Sequence, residues 1–252
     1  DYIKTRQEEE MPEKIDIHGV MIDNVTMNEA LDKVLSMLKG ETPQKIFTPN
    51  SEIIMQANRD PELKDILNSA ELVVPDGAGV ILASRIMKKE LKEKVSGIDL
   101  VKKILISTGK RPTSFFIFGG KPGVAERASI NILSDYPKAK ISGFRNGYFE
   151  ENDIPGIIKQ INESKAEVLL VGLGAPKQEK WIHQYANQLN CKVLLGIGGS
   201  IDVFAGTAKL APEFMRKAGL EWLYRLIKEP KRAKRMLDLP RFILLSIKKR
   251  QY

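Results

Sequence analysis

Asp76 follows the apolar run Leu72-Val-Val-Pro75 and precedes Gly77 and Gly79. A carboxylate just past a short strand and ahead of a glycine turn faces a ligand crevice. Partial desolvation there raises its pKa toward the working range of a general base. The same position also suits a plain helix N-cap. Thr48-Pro-Asn50 closes another predicted strand. Its hydroxyl and amide could hydrogen-bond a sugar or a phosphate, or Asn50 and Ser51 could cap the next helix. Gly174-Ala-Pro-Lys-Gln178 puts Lys177 and Gln178 in the first turn of a helix. A lysine is unfavourable beside that positive dipole end unless an anion is near.

Three glycine loops share one local pattern. Phe118-Gly-Gly-Lys-Pro-Gly123, Gly172-Leu-Gly-Ala-Pro176 and Gly196-Ile-Gly-Gly-Ser200 each follow an apolar run and precede a helix. Backbone N–H groups in such loops can approach a phosphate, although strand-to-helix turning alone also needs glycine. Asp202 follows the third loop and could grip ribose hydroxyls or stabilise a turn. Neither the Gly-x-Gly-x-x-Gly fingerprint nor a Walker A sequence occurs. Asp-x-Asp is absent, and His18 and His183 lack metal-ligand spacing, so no metal and no cofactor are expected.

These residues need a scaffold that brings strand ends together. Apolar runs at 114–118, 167–171 and 192–195 read as strands covered on both faces. They alternate with helical periodicity, as in the helix opened by the capping box Thr26-Met-Asn-Glu29. The repeat predicts an α/β fold with a Rossmann-like, mostly parallel sheet and helices on both faces. Ligands then bind outside the carboxyl ends of the strands. Lys14–Asn24 reads as two short strands around His18-Gly19.

The 252 residues suffice for one large domain, and we divide them into a disordered start at 1–13, a catalytic core at 14–208 and a helical appendage at 209–252. The last segment, from Lys209, holds thirteen Lys or Arg and four Asp or Glu, against a net charge of +8 for the whole chain. Trp222, Leu226, Ile227, Phe242, Leu244 and Ile247 interleave with those cations. Three short helices are expected, about 213–228, 231–238 and 240–250. A basic amphipathic segment suits an anionic membrane surface, and it could also close over the core as a lid. Nucleic-acid binding is disfavoured for want of a stacking platform or reading helix. The polar start carries no signal-peptide core, and no run is long and apolar enough to span a bilayer as a helix. The single Cys191, in an apolar run, reads as buried and inert and fits a reducing cytoplasm.

The ordered set Thr48-Pro-Asn50, Pro75-Asp-Gly-Ala-Gly79, Phe118–Gly123, Gly172–Glu179, Gly196–Asp202, Lys209-Leu-Ala-Pro212 and Gly219-Leu-Glu-Trp-Leu-Tyr-Arg225 resembles the WecG/TagA/CpsF glycosyltransferase family. The resemblance runs from about Ile15 to Arg241. It is nearest the branch that transfers N-acetylmannosamine in wall teichoic acid synthesis. It implies transfer from a UDP-sugar donor to the C4-OH of N-acetylglucosamine carried on undecaprenyl diphosphate, forming a β linkage with inversion. It assigns Asp76 as base, and Thr48, Asn50 and Gln178 as polar pocket residues. Gly119, Gly120, Tyr148, Gly174 and Asp202 are the donor-side candidates. Arg225, Arg232 and Arg235 are the candidates for the acceptor diphosphate. It also implies a cytoplasmic enzyme, peripheral on the inner face of the membrane. A lysine stands at Lys209 where arginine is more usual. The alternatives are transfer of the corresponding uronic acid, a nicotinamide enzyme of Rossmann type, and a nucleic-acid binder. The oligomeric state, including a homo-oligomer, stays open.

Overall fold

A computed structural model of the chain describes residues 13–228 and 237–249. A hairpin of β1 (Lys14–Ile17) and β2 (Val20–Asp23) leads into α1 (Met27–Met37). Thr26 caps α1 through the reciprocal Thr26–Glu29 capping box expected from the sequence. The main sheet then begins with β3 (Gln44–Phe47), followed by α2 (Ser51–Ala57), α3 (Pro61–Asn68) and β4 (Leu72–Val73). After α4 (Ala78–Ile86) and α5 (Gly97–Ser107) come β5 (Ser114–Gly119), α6 (Val124–Asp135) and β6 (Lys140–Arg145). The remaining core elements are α7 (Ile154–Glu163), β7 (Val168–Gly172), α8 (Lys177–Tyr185), β8 (Val193–Gly196) and α9 (Ser200–Phe204).

The six strands are ordered β4-β3-β8-β7-β5-β6, and every pairing is parallel. Parallel neighbours require crossovers, which explains why a helix separates most successive strands. Alternation along each strand sends side chains to two separate cores. Phe47, Val73, Phe116, Phe118, Leu169, Val171 and Leu194 pack with α2, α3, α4, α7 and α8. Ile46, Leu72, Phe115, Ile117, Val168, Leu170 and Leu195 pack with α1, α5, α6 and α9. Both faces are therefore covered, as the unbroken apolar runs predicted. All six carboxyl ends lie on one side of the sheet.

The basic C-terminal segment departs from the expected helix boundaries. Instead of one helix over 213–228, there are two, α10 (Glu213–Lys217) and α11 (Glu221–Lys228). Gly219 breaks them at φ +73°, and a Cβ there would lie 2.8 Å from Ala78 on α4. Close approach to α4 thus requires the glycine and the break. The final helix, α12, covers Asp238–Lys249. The helix expected at 231–238 falls mostly outside the described residues, as does nearly all of the start at 1–13.

α12 is built into the core on one side. Phe242 and Ser246 are fully buried, and Phe242 belongs to the same cluster as Phe47 and Val80. His18 Nε2 lies 2.7 Å from Ser246 Oγ, and its ring meets Phe242 edge-on with centroids 4.9 Å apart. Burial and the nearby Lys249 push the His18 pKa down to about 4, while Asp16 and the Phe242 carbonyl pull less strongly the other way. At neutral pH the imidazole is uncharged. Arg59 donates two bonds to Asp238, at 2.9 and 2.7 Å, and fixes the start of α12 against the end of α2.

Candidate active site

Asp76 lies just beyond β4, and Gly77 at φ +93° turns the chain into α4. The side chain does not cap α4, which has no side-chain cap bond. Asp76 Oδ2 instead accepts the Gly97 N–H at 3.3 Å, at the start of α5. Only part of Asp76 reaches the surface, and protein encloses its carboxyl. Burial pushes its pKa up to about 6. The Gly97 bond and Arg225 pull it back, Glu221 raises it, and Lys94 lowers it. A carboxylate poised near neutrality can accept a proton from a hydroxyl group.

Thr48 and Asp76 meet across Gly97. A Cβ on Gly97 would stand 3.0 Å from Thr48 Oγ1, so glycine lets Thr48 pack against the same residue whose N–H Asp76 accepts. Asn50 caps α2, with Oδ1 accepting the Ile53 N–H at 3.0 Å. Its Cβ also borders Gly77, 3.7 Å from the position a Cβ would take there. Asn50 therefore has a structural role, as its spacing allowed, and it also stands at the edge of the Asp76 turn.

Gln178 is buried in the first turn of α8. Its Oε1 accepts the Gly198 N–H at 3.0 Å, and its Nε2 donates to Glu179 Oε1 at 2.8 Å. Gly196 leaves room for that amide, since a Cβ would come within 2.9 Å of Nε2. Gln178 thus ties the loop after β7 to the loop after β8. Glu179 is 1% exposed, burial raises its pKa, and its Oε2 has no hydrogen-bond partner. Lys177 stands 4.2 Å over the Phe149 ring. That cation–π contact meets its charge, so the lysine is no separate sign of an anion.

The first glycine loop serves close strand approach. A Cβ on Gly119 would lie 2.3 Å from the Gly172 carbonyl oxygen, and the Gly120 N–H already donates to that oxygen at 3.0 Å. The Gly120 amide is therefore occupied. Gly174, at φ +77°, has open space where a Cβ would stand. Tyr148 lies beyond β6 and is 63% exposed. A cavity of about 300 Å³ at the end of β6 is lined by Gly123, Arg145 and Asn146, and Tyr148 is not part of its lining. Asp202 sits in the first turn of α9, and Thr207 Oγ1 donates to its Oδ1 at 3.3 Å.

The structure brings Thr48, Asn50 and Asp76 into one cluster, and it sets Gln178 and Asp202 at the neighbouring strand ends. Tyr148 stands toward the far edge of the sheet. Arg225 extends from α11 near enough to act on Asp76. Arg232 and Arg235 lie outside the described residues. Sequence reasoning overlooked the Lys94–Glu221 pair, 2.9 Å apart, whose members both act on Asp76. Lys94 sits in the run Lys89-Glu-Leu-Lys-Glu-Lys94, which reads as a solvated surface. Glu179 was visible only as part of a motif. Among the described residues no group of three or more His, Cys, Asp or Glu converges on a metal-sized site. Cys191 is buried, and burial pushes its thiol pKa up to about 12.

The model of the glycosyl transferase WecG/TagA/CpsF family matches residues 15–252. The chain belongs to this family. It is 38% identical over 236 residues to the N-acetylglucosaminyldiphosphoundecaprenol N-acetyl-beta-D-mannosaminyltransferase of Bacillus subtilis (strain 168), covering 92% of this chain and 90% of that protein. Proteins of the same name from Staphylococcus aureus strains MRSA252 and MW2 are each 33% identical over 241 residues, covering 95% of this chain and 94% of theirs. Membership accounts for the ordered glycine loops and acidic strand ends in one chain.

Proposed function

We propose that this glycosyltransferase moves N-acetylmannosamine from UDP-N-acetylmannosamine to the C4-OH of N-acetylglucosamine on undecaprenyl diphosphate, with inversion, in teichoic acid linkage-unit synthesis. The observation that carries the reading is the near-full-length match to transferases bearing that name, joined to a carboxylate with a pKa of about 6 at the sheet's carboxyl edge. In a single displacement, Asp76 takes the proton of the acceptor hydroxyl as its oxygen attacks the anomeric carbon, and UDP departs. Thr48 and Asn50 orient the sugar beside it, and Gln178 holds the loops that border the donor. Gly119, Gly120, Tyr148, Gly174 and Asp202 form the donor side, with Gly119 and Gly120 acting by shaping the loop. Arg225, with Arg232 and Arg235 from the same basic segment, is assigned to the acceptor diphosphate by charge.

The chain works at an anionic membrane surface on the cytoplasmic side. No described helix is long and apolar enough to cross a membrane. The C-terminal helices expose Trp222, Ile227, Leu244 and Ile247, and on the same helices Arg225, Lys228, Arg241, Lys248 and Lys249 are exposed. Each cation near such a surface contributes about 1 kcal/mol. Truncation after Ala211 would be a poor test, because it removes the buried Phe242 and Ser246 along with the exposed face. Replacing the exposed Leu244 and Ile247 by Glu is cleaner. Sedimentation with phosphatidylglycerol vesicles should fall, and undiminished sedimentation contradicts the docking.

The function is tested by offering UDP-N-acetylmannosamine and the corresponding UDP-uronic acid to the protein with a GlcNAc-diphospho-lipid acceptor. Transfer of N-acetylmannosamine is expected. Preferential transfer of the uronic acid, or no transfer of either sugar, overturns the reading.

A further inference from the structure

An open groove of about 560 Å³ runs between α4 and α10. It starts at Ala78, two residues after Asp76, and follows α4 to Arg85. The seven helical rises from Ala78 to Arg85 cover about 10 Å. Ile81 and Leu82 give it an apolar floor, with Leu82 48% exposed. Arg85, Lys94, Arg216 and Lys217 line it, along with Glu93 and Glu213.

The carboxylates of this groove are already engaged. Glu213 pairs with Lys217 at 2.8 Å, and Glu93 accepts the Met27 N–H at 2.9 Å. Lys94 is held by Glu221. Arg85 and Arg216 have no carboxylate partner among the described residues. Arg216 Nε is shielded from water and bonds to nothing there. That shielded, unbonded guanidinium N–H is costly, and with the exposed Arg85 beside the same apolar floor of Ile81 and Leu82 the groove suits an anion with an apolar tail.

We propose that this groove binds the diphosphate end of the lipid-linked acceptor, with Arg85 and Arg216 as phosphate ligands and Ile81 and Leu82 against the first isoprenyl units. The inference rests on the acceptor named under the proposed function. It adds the site, the direction of entry and two ligands outside the Arg225–Arg235 group. The sugar then projects from the groove at Ala78 toward Asp76.

Calorimetric titration with farnesyl diphosphate at saturating UDP tests the groove without turnover. Affinity should fall about tenfold for Arg85→Ala and again for Arg216→Ala, with UDP affinity and Tm unchanged. If the alanine variant of Arg216 unfolds early, Arg216→Lys should keep the fold and part of the affinity. Equal affinity in wild type and the double variant overturns the proposal. So does displacement of farnesyl diphosphate by UDP, which would place it in the donor crevice. So does a double variant that loses binding to phosphatidylglycerol vesicles while keeping farnesyl diphosphate affinity, since the arginines would then serve lipid headgroups. In transfer assays, the acceptor KM should rise while the donor KM holds. If the wild type transfers no sugar but farnesyl diphosphate binding still depends on both arginines, the proposed function fails and the groove stands.

Discussion

Replacing Asp76 by Asn should stabilise the protein and abolish most of its turnover. Asn keeps the shape and can still accept the Gly97 N–H through its carbonyl oxygen. Folding raises the Asp76 pKa from 3.8 to about 6, chiefly through burial. The folded state therefore holds this proton more tightly than the unfolded chain. Below about pH 4 both states are protonated and the residue costs nothing. As pH rises toward 6 the unfolded chain ionises first, and stability falls. Above pH 6 the full penalty applies, about 3 kcal/mol by linkage, or about 1–3 kcal/mol after allowing for partial solvent contact. The variant avoids it, so its Tm at pH 7.5 should exceed the wild type's by about 2–10 °C. That advantage should vanish at pH 4. Turnover should fall by a factor of about 100 or more, the usual contribution of a positioned base. UDP affinity should stay nearly constant. The wild-type kcat/KM should decline below about pH 6, as the base becomes protonated. Differential scanning calorimetry at the two pH values and a steady-state transfer assay measure both effects. A variant with wild-type turnover, or one no more stable at pH 7.5 than at pH 4 relative to wild type, refutes the assignment.

Phe242→Ala should cost about 3–5 kcal/mol in denaturant unfolding, because the ring is fully buried in the core beneath α12. An effect below about 1 kcal/mol would mean that α12 is not docked. Gly119→Ala should prevent normal folding or soluble expression, since its Cβ would fall 2.3 Å from the Gly172 carbonyl oxygen. Wild-type thermal stability in that variant would refute the close strand approach. Native Cys191 should resist an aromatic disulfide reagent and react only after unfolding, given its burial and its pKa of about 12. Rapid labelling of the folded protein would contradict this.

The strand–loop–helix order was legible because parallel strands covered on both faces must be apolar throughout. The runs at 114–118, 167–171 and 192–195 show this directly, and β5, β7 and β8 follow them within a residue or two. The Thr26–Glu29 capping box was equally readable, because both bonds are local. Boundaries failed where a distant element set them. The break at Gly219 answers to Ala78 on α4, more than a hundred residues away, and no local propensity reveals that partner.

The family of the chain and its main candidate residues were determined by the sequence itself, since an ordered set of local motifs survives without knowledge of their spatial neighbours. Asp76 as a candidate base and the basic character of the last segment belong to that part. Only the tertiary structure decided which role each residue can take. Asp76 and the Gly97 N–H meet across 21 positions, and the enclosure that raises the carboxylate's pKa comes from surrounding elements. The Lys94–Glu221 pair beside Asp76 joins residues 127 positions apart. The same holds for α12, whose amphipathic sequence fits a surface helix but which buries Phe242 and Ser246 against His18 and α4. Burial and electrostatic environment are sums over neighbours in space, and those neighbours exist only once the sheet has formed.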